Sequence, residues 1–406
     1  MSTGRLHRTR LLGKSDPDTL TSLNNLAGLY KSQGRYGKAE PLYSEALADR
    51  KRVLGAEHPD TVISQNDLAV LYSLQGRYVK AEPLLVDVLL RRKTTLGQDH
   101  PATLTSLNNL AGLYKSQGRY GVAESLYLEV QQLYKTVLGE DHPITLASRN
   151  SLAGLYESQG RYSEAEQLFV EVLAHRKRVL GNDHPSTLTS LNNLAVLYSS
   201  QGRYVEAEPL FSDVLSRSDR MLGKDHPDTL NSLSNLAELY RVHGHYVKAE
   251  PLLIDALSRS KRVLGEDHPD TLGILNNLAG LYSAQGRYGE AAPAYAEALV
   301  NRRRTLGEDH PGTLISLNNL AGLYESQGRY GEAESLWTEA LAHRKKVLGE
   351  YHPNSLSSLT NLAANYESQG RYTEALSLLT EALAHQRRTL GEDHPDTLIS
   401  LNNLAA

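Results

Sequence analysis

The sequence contains no cysteine, which excludes a disulfide framework, a thiolate nucleophile and a cysteine-ligated zinc site. Phenylalanine and tryptophan are nearly missing as well, with 2 Phe and 1 Trp beside 23 Tyr, and this bias predicts one aromatic position copied many times. No stretch approaches the ~18 consecutive apolar residues of a membrane span. Residues 1–14 are basic and lack the apolar core of a secretory signal. We therefore expect a cytoplasmic protein.

Neither sign of charge dominates, because 43 Lys and Arg face 47 Asp and Glu. A net charge of -4 gives no general attraction to nucleic acid or to an anionic membrane, and we predict neither as a partner. The 406 residues exceed the ~250–300 at which a single core stops growing, so the chain must divide or repeat itself.

One motif returns every 42 residues without insertion or deletion. Residues 21–37 and 105–121 are identical. The pattern predicts that 1–16 is the end of a truncated preceding unit and that 395–406 begins a truncated tenth unit. Between them, 17–394 holds nine full units: 17–58, 59–100, 101–142, 143–184, 185–226, 227–268, 269–310, 311–352 and 353–394.

Each unit has the pattern of two amphipathic helices. Pro17 suits the first position of a helix, and apolar residues such as Leu20 and Leu23 follow at helical spacing. Gly34 ends this first helix, and the second helix ends at Gly55. A hairpin of this kind buries its apolar stripes only by stacking on its neighbours. The sequence therefore predicts an all-α solenoid of tandem helix-turn-helix units.

The unit resembles the tetratricopeptide repeat in the spacing of Leu26-Ala27, Tyr30, Gly34, Tyr36, Ala39, Tyr43 and Ala46. That repeat normally has about 34 residues, and the form with 42 residues resembles the repeats of kinesin light chain and nephrocystin-like proteins. It also resembles repeat tails of some bacterial and fungal nucleotide-binding signalling proteins. The resemblance implies a right-handed α-α superhelix, first helices on the concave face, and protein binding in the groove between them.

Asparagine recurs just before the core Leu-Ala pair, at positions that the resemblance places in the groove. An asparagine amide both donates and accepts, so it can pair with the backbone of an extended peptide. The alternative is that these amides bond within the helix or to the neighbouring repeat. The candidate groove residues are Asn25, Asn66, Asn109, Asn150, Asn193, Asn235, Asn277, Asn319, Asn361, Lys31, Lys115 and Arg241.

Charge one helical turn past the asparagines changes along the chain. Lys31, Lys115 and Arg241 occupy this position in some units, whereas other units place glutamate there, at Glu157 and Glu325 for example. We expect acidic ligand segments towards the N-terminal part and basic ones towards the C-terminal part. Scattered solvent-facing charge is an equally good interpretation.

Histidine precedes the first proline of every unit from His58 to His394. Equivalent atoms in adjacent units should lie near ~10 Å apart, too far to share a zinc ion whose ligands lie at ~2 Å. We therefore interpret these histidines as helix-start residues that contact a neighbour. The row of arginines that begins at Arg35 and Arg77 is better explained by ion pairs between repeats than by phosphate binding.

No nucleophile elbow, paired-histidine zinc motif or dinucleotide fingerprint is present. We predict a protein that is not an enzyme, needs no cofactor or metal, and serves as a scaffold or adaptor that binds extended peptides. The alternatives are a kinesin light chain-like cargo adaptor and the sensing repeat tail of a signalling ATPase. The termini lack polar capping units, so we expect either a piece of a longer array or end-to-end self-association.

Overall fold

The computed structural model describes residues 16–392 and 394–405. Within these ranges it contains 19 helices and no strand. The helices are α1 (Pro17–Ser32), α2 (Tyr36–Leu54), α3 (Pro59–Leu74), α4 (Tyr78–Leu96), α5 (Pro101–Ser116), α6 (Tyr120–Leu138), α7 (Pro143–Ser158), α8 (Tyr162–Leu180), α9 (Pro185–Ser200), α10 (Tyr204–Leu222), α11 (Pro227–Val242), α12 (Tyr246–Val263), α13 (Pro269–Ala284), α14 (Tyr288–Leu306), α15 (Pro311–Ser326), α16 (Tyr330–Leu348), α17 (Pro353–Ser368), α18 (Tyr372–Thr389) and α19 (Pro395–Ala405).

The ends of the first helices follow from local chemistry. In front of α3, the His58 Nδ1 atom accepts a hydrogen bond from the Asp60 N–H group at 3.2 Å, and Asp16 caps α1 in the same way. At the other end of α5, the Gly118 N–H group bonds to the Lys115 carbonyl and the next N–H group bonds to the Tyr114 carbonyl. This cap needs a left-handed residue, and Gly118 has a φ of 69°.

Apolar packing crosses from each unit to the next. Ala27 and Ala39 are fully buried and share one cluster with Tyr43 of their own unit. Leu68 and Leu71 of the following unit complete that cluster. Each hairpin therefore covers the apolar stripe of its neighbour, and order spreads along the array in the manner of a repeat protein.

The solenoid also contacts itself after about six units. The ring of Pro353, which opens the ninth unit, lies against Gly118 in the third unit, six units earlier. The same pairing recurs three more times, at Gly34 with Pro269, Gly76 with Pro311, and Gly160 with Pro395. We call this line of contacts the seam. The seam joins two edges of the solenoid. The turns between the two helices of each unit form one edge, which we call the hairpin edge. The His-Pro loops that open each unit form the other, which we call the loop edge.

The predicted all-α solenoid of helix-turn-helix units is confirmed. The predicted fragment 1–16 lies outside the described residues except for Asp16, and the predicted tenth unit contains α19. The division into nine units remains a prediction. Among the described residues, no helix is both long enough and apolar enough to cross a membrane.

Candidate peptide-binding groove

The first helices of successive units lie side by side and form one continuous surface. Direct contacts join α1 to α3, α11 to α13 and α13 to α15. The second helices pack against the outer side of this layer, and open pockets lie on its inner side. The inner surface is the groove that the resemblance implied.

The groove asparagines form hydrogen-bonded rungs between units. In the first rung the Asn24 amide donates to a carboxylate oxygen of Asp67 at 2.8 Å. The other rungs join Asn109 to Asn66 (3.2 Å), Asn193 to Asn150 (3.2 Å), Asn235 to Asn192 (2.9 Å), Asn277 to the Ser234 hydroxyl (3.1 Å) and Asn319 to Asn276 (3.1 Å). The bond to the neighbouring repeat, which the sequence left open, is therefore present.

These rungs use only part of each amide. A primary amide has two N–H donors and an oxygen with two lone pairs, and a rung uses one N–H group of its donor. Asn25 in the first unit is exposed, and Asn361 is half-buried on α17. Arg241, Asn277 and Asn319 line one open pocket of about 520 Å³. The structure therefore brings three of the predicted residues together at one place.

The predicted groove cations are partly neutralised by neighbouring acids. Arg241 donates twice to Glu238, at 2.7 Å and 2.6 Å. Burial lowers the pKa of Lys115, and the nearby Glu157 carboxylate partly offsets this effect. Burial likewise raises the pKa of Glu157 above its ordinary value. Two of the three predicted cations, Lys115 and Arg241, therefore lie beside carboxylates of the first helices.

Tyrosines of the second helices reach through to the groove at glycines of the first helices. A Cβ atom at Gly112 would lie 3.4 Å from the Tyr127 hydroxyl, and one at Gly280 would lie 3.1 Å from the Tyr295 hydroxyl. Tyr295 itself lines the pocket with Asn277. These tyrosine hydroxyls were not among the predicted groove groups, although a glycine inside a helix signals a close approach.

In five units, an arginine that is largely buried fastens the second helix to the next first helix, and these arginines were not among the predicted residues. Arg344 is 6% exposed, and its guanidinium donates to the Asn354 carbonyl at 2.9 Å and to the Ser358 hydroxyl at 2.7 Å. Burial lowers its pKa to about 10. The same pair of bonds recurs at Arg50, Arg92, Arg176 and Arg302. Arginine recurs at this one position in several units, and that recurrence could have indicated a structural role.

The arginine row at the hairpin turns makes ion pairs between units, as predicted. Arg119 contacts the Glu82 carboxylate of the preceding unit at 2.9 Å, and its guanidinium lies 4.1 Å from the centre of the Tyr114 ring. Six units repeat the pairing with glutamate, through Arg77, Arg119, Arg161, Arg203, Arg287 and Arg371.

One cluster of side chains has the spacing of a metal site. Glu308, Glu339 and His343 place their ligand atoms within 4.8 Å of one another. Arg303 forms ion pairs with both glutamates, one of them at 3.2 Å. Because a guanidinium already neutralises these carboxylates, the arrangement is that of an ion-pair network.

The family model described as tetratricopeptide repeat matches the chain along almost its whole length. The chain belongs to the tetratricopeptide repeat family. The matched residues are 18–93, 74–136, 103–178, 150–219, 197–259, 228–302, 270–346, 317–386 and 355–406. A search of curated proteins found no match.

Several solved structures are similar to this chain. A putative kinesin light chain from Podosopora anserina with nearly identical repeats has 32% identity, with 51% of this chain and 97% of that chain covered and a TM-score of 0.44. BtubC (BKLC) from P. vanneervenii has 25% identity, 58% and 92% coverage and a TM-score of 0.44. A Rap protein complexed with competence and sporulation factor has 12% identity, 92% and 99% coverage and a TM-score of 0.58, a likeness of fold alone.

Proposed function

We propose that this chain is a non-catalytic cytoplasmic scaffold or adaptor that binds extended peptide segments of other proteins in its groove. The observation that carries the proposal is the open pocket that Arg241, Asn277 and Asn319 line together. Amides on neighbouring units can pair with separate peptide groups along an extended chain, whatever its side chains.

The rungs between units support this role, because they fix the amides before a ligand arrives. The Asn319 side chain is held by Asn276 at 3.1 Å, so its rotamer is set in the free protein. A preorganised donor loses less conformational entropy when it binds. The narrower roles of kinesin light chain-like cargo adaptor and of signalling-ATPase tail remain predictions from the sequence.

The test begins with selection of peptides from a random library on the full chain, followed by calorimetry with the double variant Asn277→Ala/Asn319→Ala. We expect the affinity of the selected peptides to fall by roughly tenfold, since two hydrogen bonds contribute about 0.5–1.5 kcal/mol each. Circular dichroism should show unchanged helicity.

The matched control is Gln132→Ala/Gln167→Ala, which removes two exposed amides from the outer helices α6 and α8. This control should bind like the wild type. Failure to select any peptide, or equal affinity for the wild type and the groove variant, would contradict the proposal.

A further inference from the structure

Two histidines of the seam, His352 and His394, make hydrogen bonds at both ring nitrogens. The His352 Nδ1 atom accepts from the Asn354 N–H group at 3.0 Å and so caps α17. The His352 Nε2 atom lies 2.9 Å from the Ser116 carbonyl, at the last residue of α5, one superhelical turn away. A carbonyl at the end of a helix has no partner within the helix, and the histidine supplies one. Both bonds require a neutral ring with its proton on Nε2.

Apolar contacts accompany these hydrogen bonds. A Cβ atom at Gly118 would lie 2.5 Å from the Pro353 Cδ atom, so the proline ring already fills that space. The ring of Tyr36 stacks on His310 with 5.7 Å between ring centres, and Leu348 packs beside the cluster that contains Tyr78. The seam thus joins two complementary edges through steric fit as well as polar bonds.

Both edges continue beyond the seam. The hairpin edge of units five to nine is open. A Cβ atom added to its turn glycines would have no neighbour within 4 Å among the described residues. These glycines are Gly202, Gly244, Gly286, Gly328 and Gly370. The sequence Ser-Gln-Gly-Arg-Tyr around Gly328 is identical to the one that surrounds Gly118 in the seam. The exposed hairpin edge of units five, eight and nine therefore presents the same residues that the seam buries.

The loop edge is likewise open at the other end of the array. His100 and His184 are exposed, as are Pro143 and Pro185, whereas His352 in the seam is only 7% exposed. These open loops carry the same His-Pro pair as the loops in the seam. One molecule therefore presents both halves of an interface that it already forms within itself.

We propose that a second copy of this chain docks on these edges, with the His-Pro loops of one copy on the open hairpin turns of the other. The contact continues the seam, so the second copy extends the superhelix along its axis. Because the two edges differ, the contact is head-to-tail and does not close on itself, which gives open stacks rather than a dimer. This association uses the edges of the array, unlike the association of the termini predicted from the sequence.

The contact between molecules should need high protein concentration. The seam within one chain forms without loss of translational and rotational freedom, whereas two separate molecules lose this freedom when they associate. We therefore expect the weight-average mass in sedimentation equilibrium to rise above the 44.8 kDa of one chain as concentration goes from micromolar to millimolar. The rise should continue without a plateau at the dimer.

Two variants remove the contact without altering the seam. The first is His100→Asp/His142→Asp/His184→Asp, because aspartate keeps the helix cap, as Asp16 does at 2.9 Å, but cannot donate to a carbonyl. The second is Ser326→Arg/Ser368→Arg, which places bulky side chains on exposed positions at the ends of α15 and α17. The control Thr338→Arg/Thr380→Arg adds the same charge to the same units at exposed positions of α16 and α18.

The expected result is that both variants need at least roughly tenfold more protein to associate than the wild type, while the control associates like the wild type. A wild-type chain that stays monomeric up to millimolar concentration would overturn the proposal. Association that both variants leave unchanged would also overturn it, because the contact would then lie elsewhere.

Discussion

At the residue scale, the histidine in front of each first helix has two roles along one chain. In the early units it caps its own helix, as His58 does for α3. In the seam it also bonds to the end of a helix one superhelical turn away, as His352 does. Aspartate at position 16 shows that capping alone does not need histidine. The second bond needs a donor to the carbonyl, which a histidine ring provides and an aspartate carboxylate does not.

Acid should weaken the seam. Burial lowers the pKa of His310 and of His352 to about 4, and the neighbouring Arg302 and Arg344 guanidinium groups add to the effect. Both rings are neutral in the folded chain, whereas in the unfolded chain they take up protons below their ordinary pKa of ~6.5. Their contribution is complete above that pH and declines as the pH falls towards 4.

We expect the free energy of unfolding to fall between pH 6.5 and 5 by on the order of 2 kcal/mol for each of these histidines. Urea unfolding at several pH values measures this change, and His352→Asn serves as the reference, because asparagine can cap the helix but does not titrate. If the wild type and His352→Asn lose the same amount of stability over this range, the buried histidine is not responsible.

At the element scale, each first helix from α1 to α17 is followed by a glycine with positive φ, but only some of these glycines are covered. Gly118 and Gly328 have nearly equal φ values, 69° and 71°. Their flanking residues Ser-Gln and Arg-Tyr-Gly are the same. Only Gly118 lies under a proline ring from another turn of the superhelix. The same substitution at the two glycines therefore distinguishes the contribution of the helix cap to stability from the contribution of the seam.

We expect Gly118→Ala to destabilise the fold more than Gly328→Ala, by about 1–3 kcal/mol. Both variants strain a left-handed backbone, but only the alanine at 118 meets the Pro353 ring. The urea midpoints of the two variants, compared with the wild type, give the difference. Equal midpoints would mean that the seam accommodates the added methyl group without a measurable loss in the free energy of unfolding.

Much of the fold and part of the groove follow from contacts that are close in sequence. Pro17 and Gly34 mark the limits of the first helix, and the pair Arg119 and Glu82 joins neighbours one repeat apart. The groove amides stay a prediction, because whether Asn277 contacts a ligand besides Ser234 of the preceding unit depends on side-chain geometry that the pattern does not hold. The sequence predicted elements and neighbours because both repeat locally.

The seam could not be predicted in the same way. It depends on a small rotation between adjacent units that accumulates over six of them, and packing details set that rotation. His142 and His352 share the same His-Pro pair, although one lies on an open loop and the other is buried. The one hint was the histidine itself, because capping a helix needs no more than an aspartate such as Asp16.

At the scale of the whole molecule, the period of the seam is a whole number of units. Removal of residues 185–226, one complete unit, should therefore keep the superhelix and shift the seam by one unit, so that His352 faces Leu74 instead of Ser116. Small-angle scattering should show an unchanged cross-section and a shorter rod. Deletion of 185–205, half of a unit, is the control and should enlarge or disorder the cross-section. An altered cross-section after removal of the whole unit would contradict this expectation.

The pairing of each unit with the sixth one after it sets a threshold in array length. Arrays of up to six units can form only an open arc, whereas the seventh unit makes the first contact that closes the wall. The number of units, rather than any particular residue, then decides whether the inner surface is approached from the side or only through the mouths of a tube. Duplication or deletion of one unit near that threshold would therefore change access to the interior, although no residue is substituted.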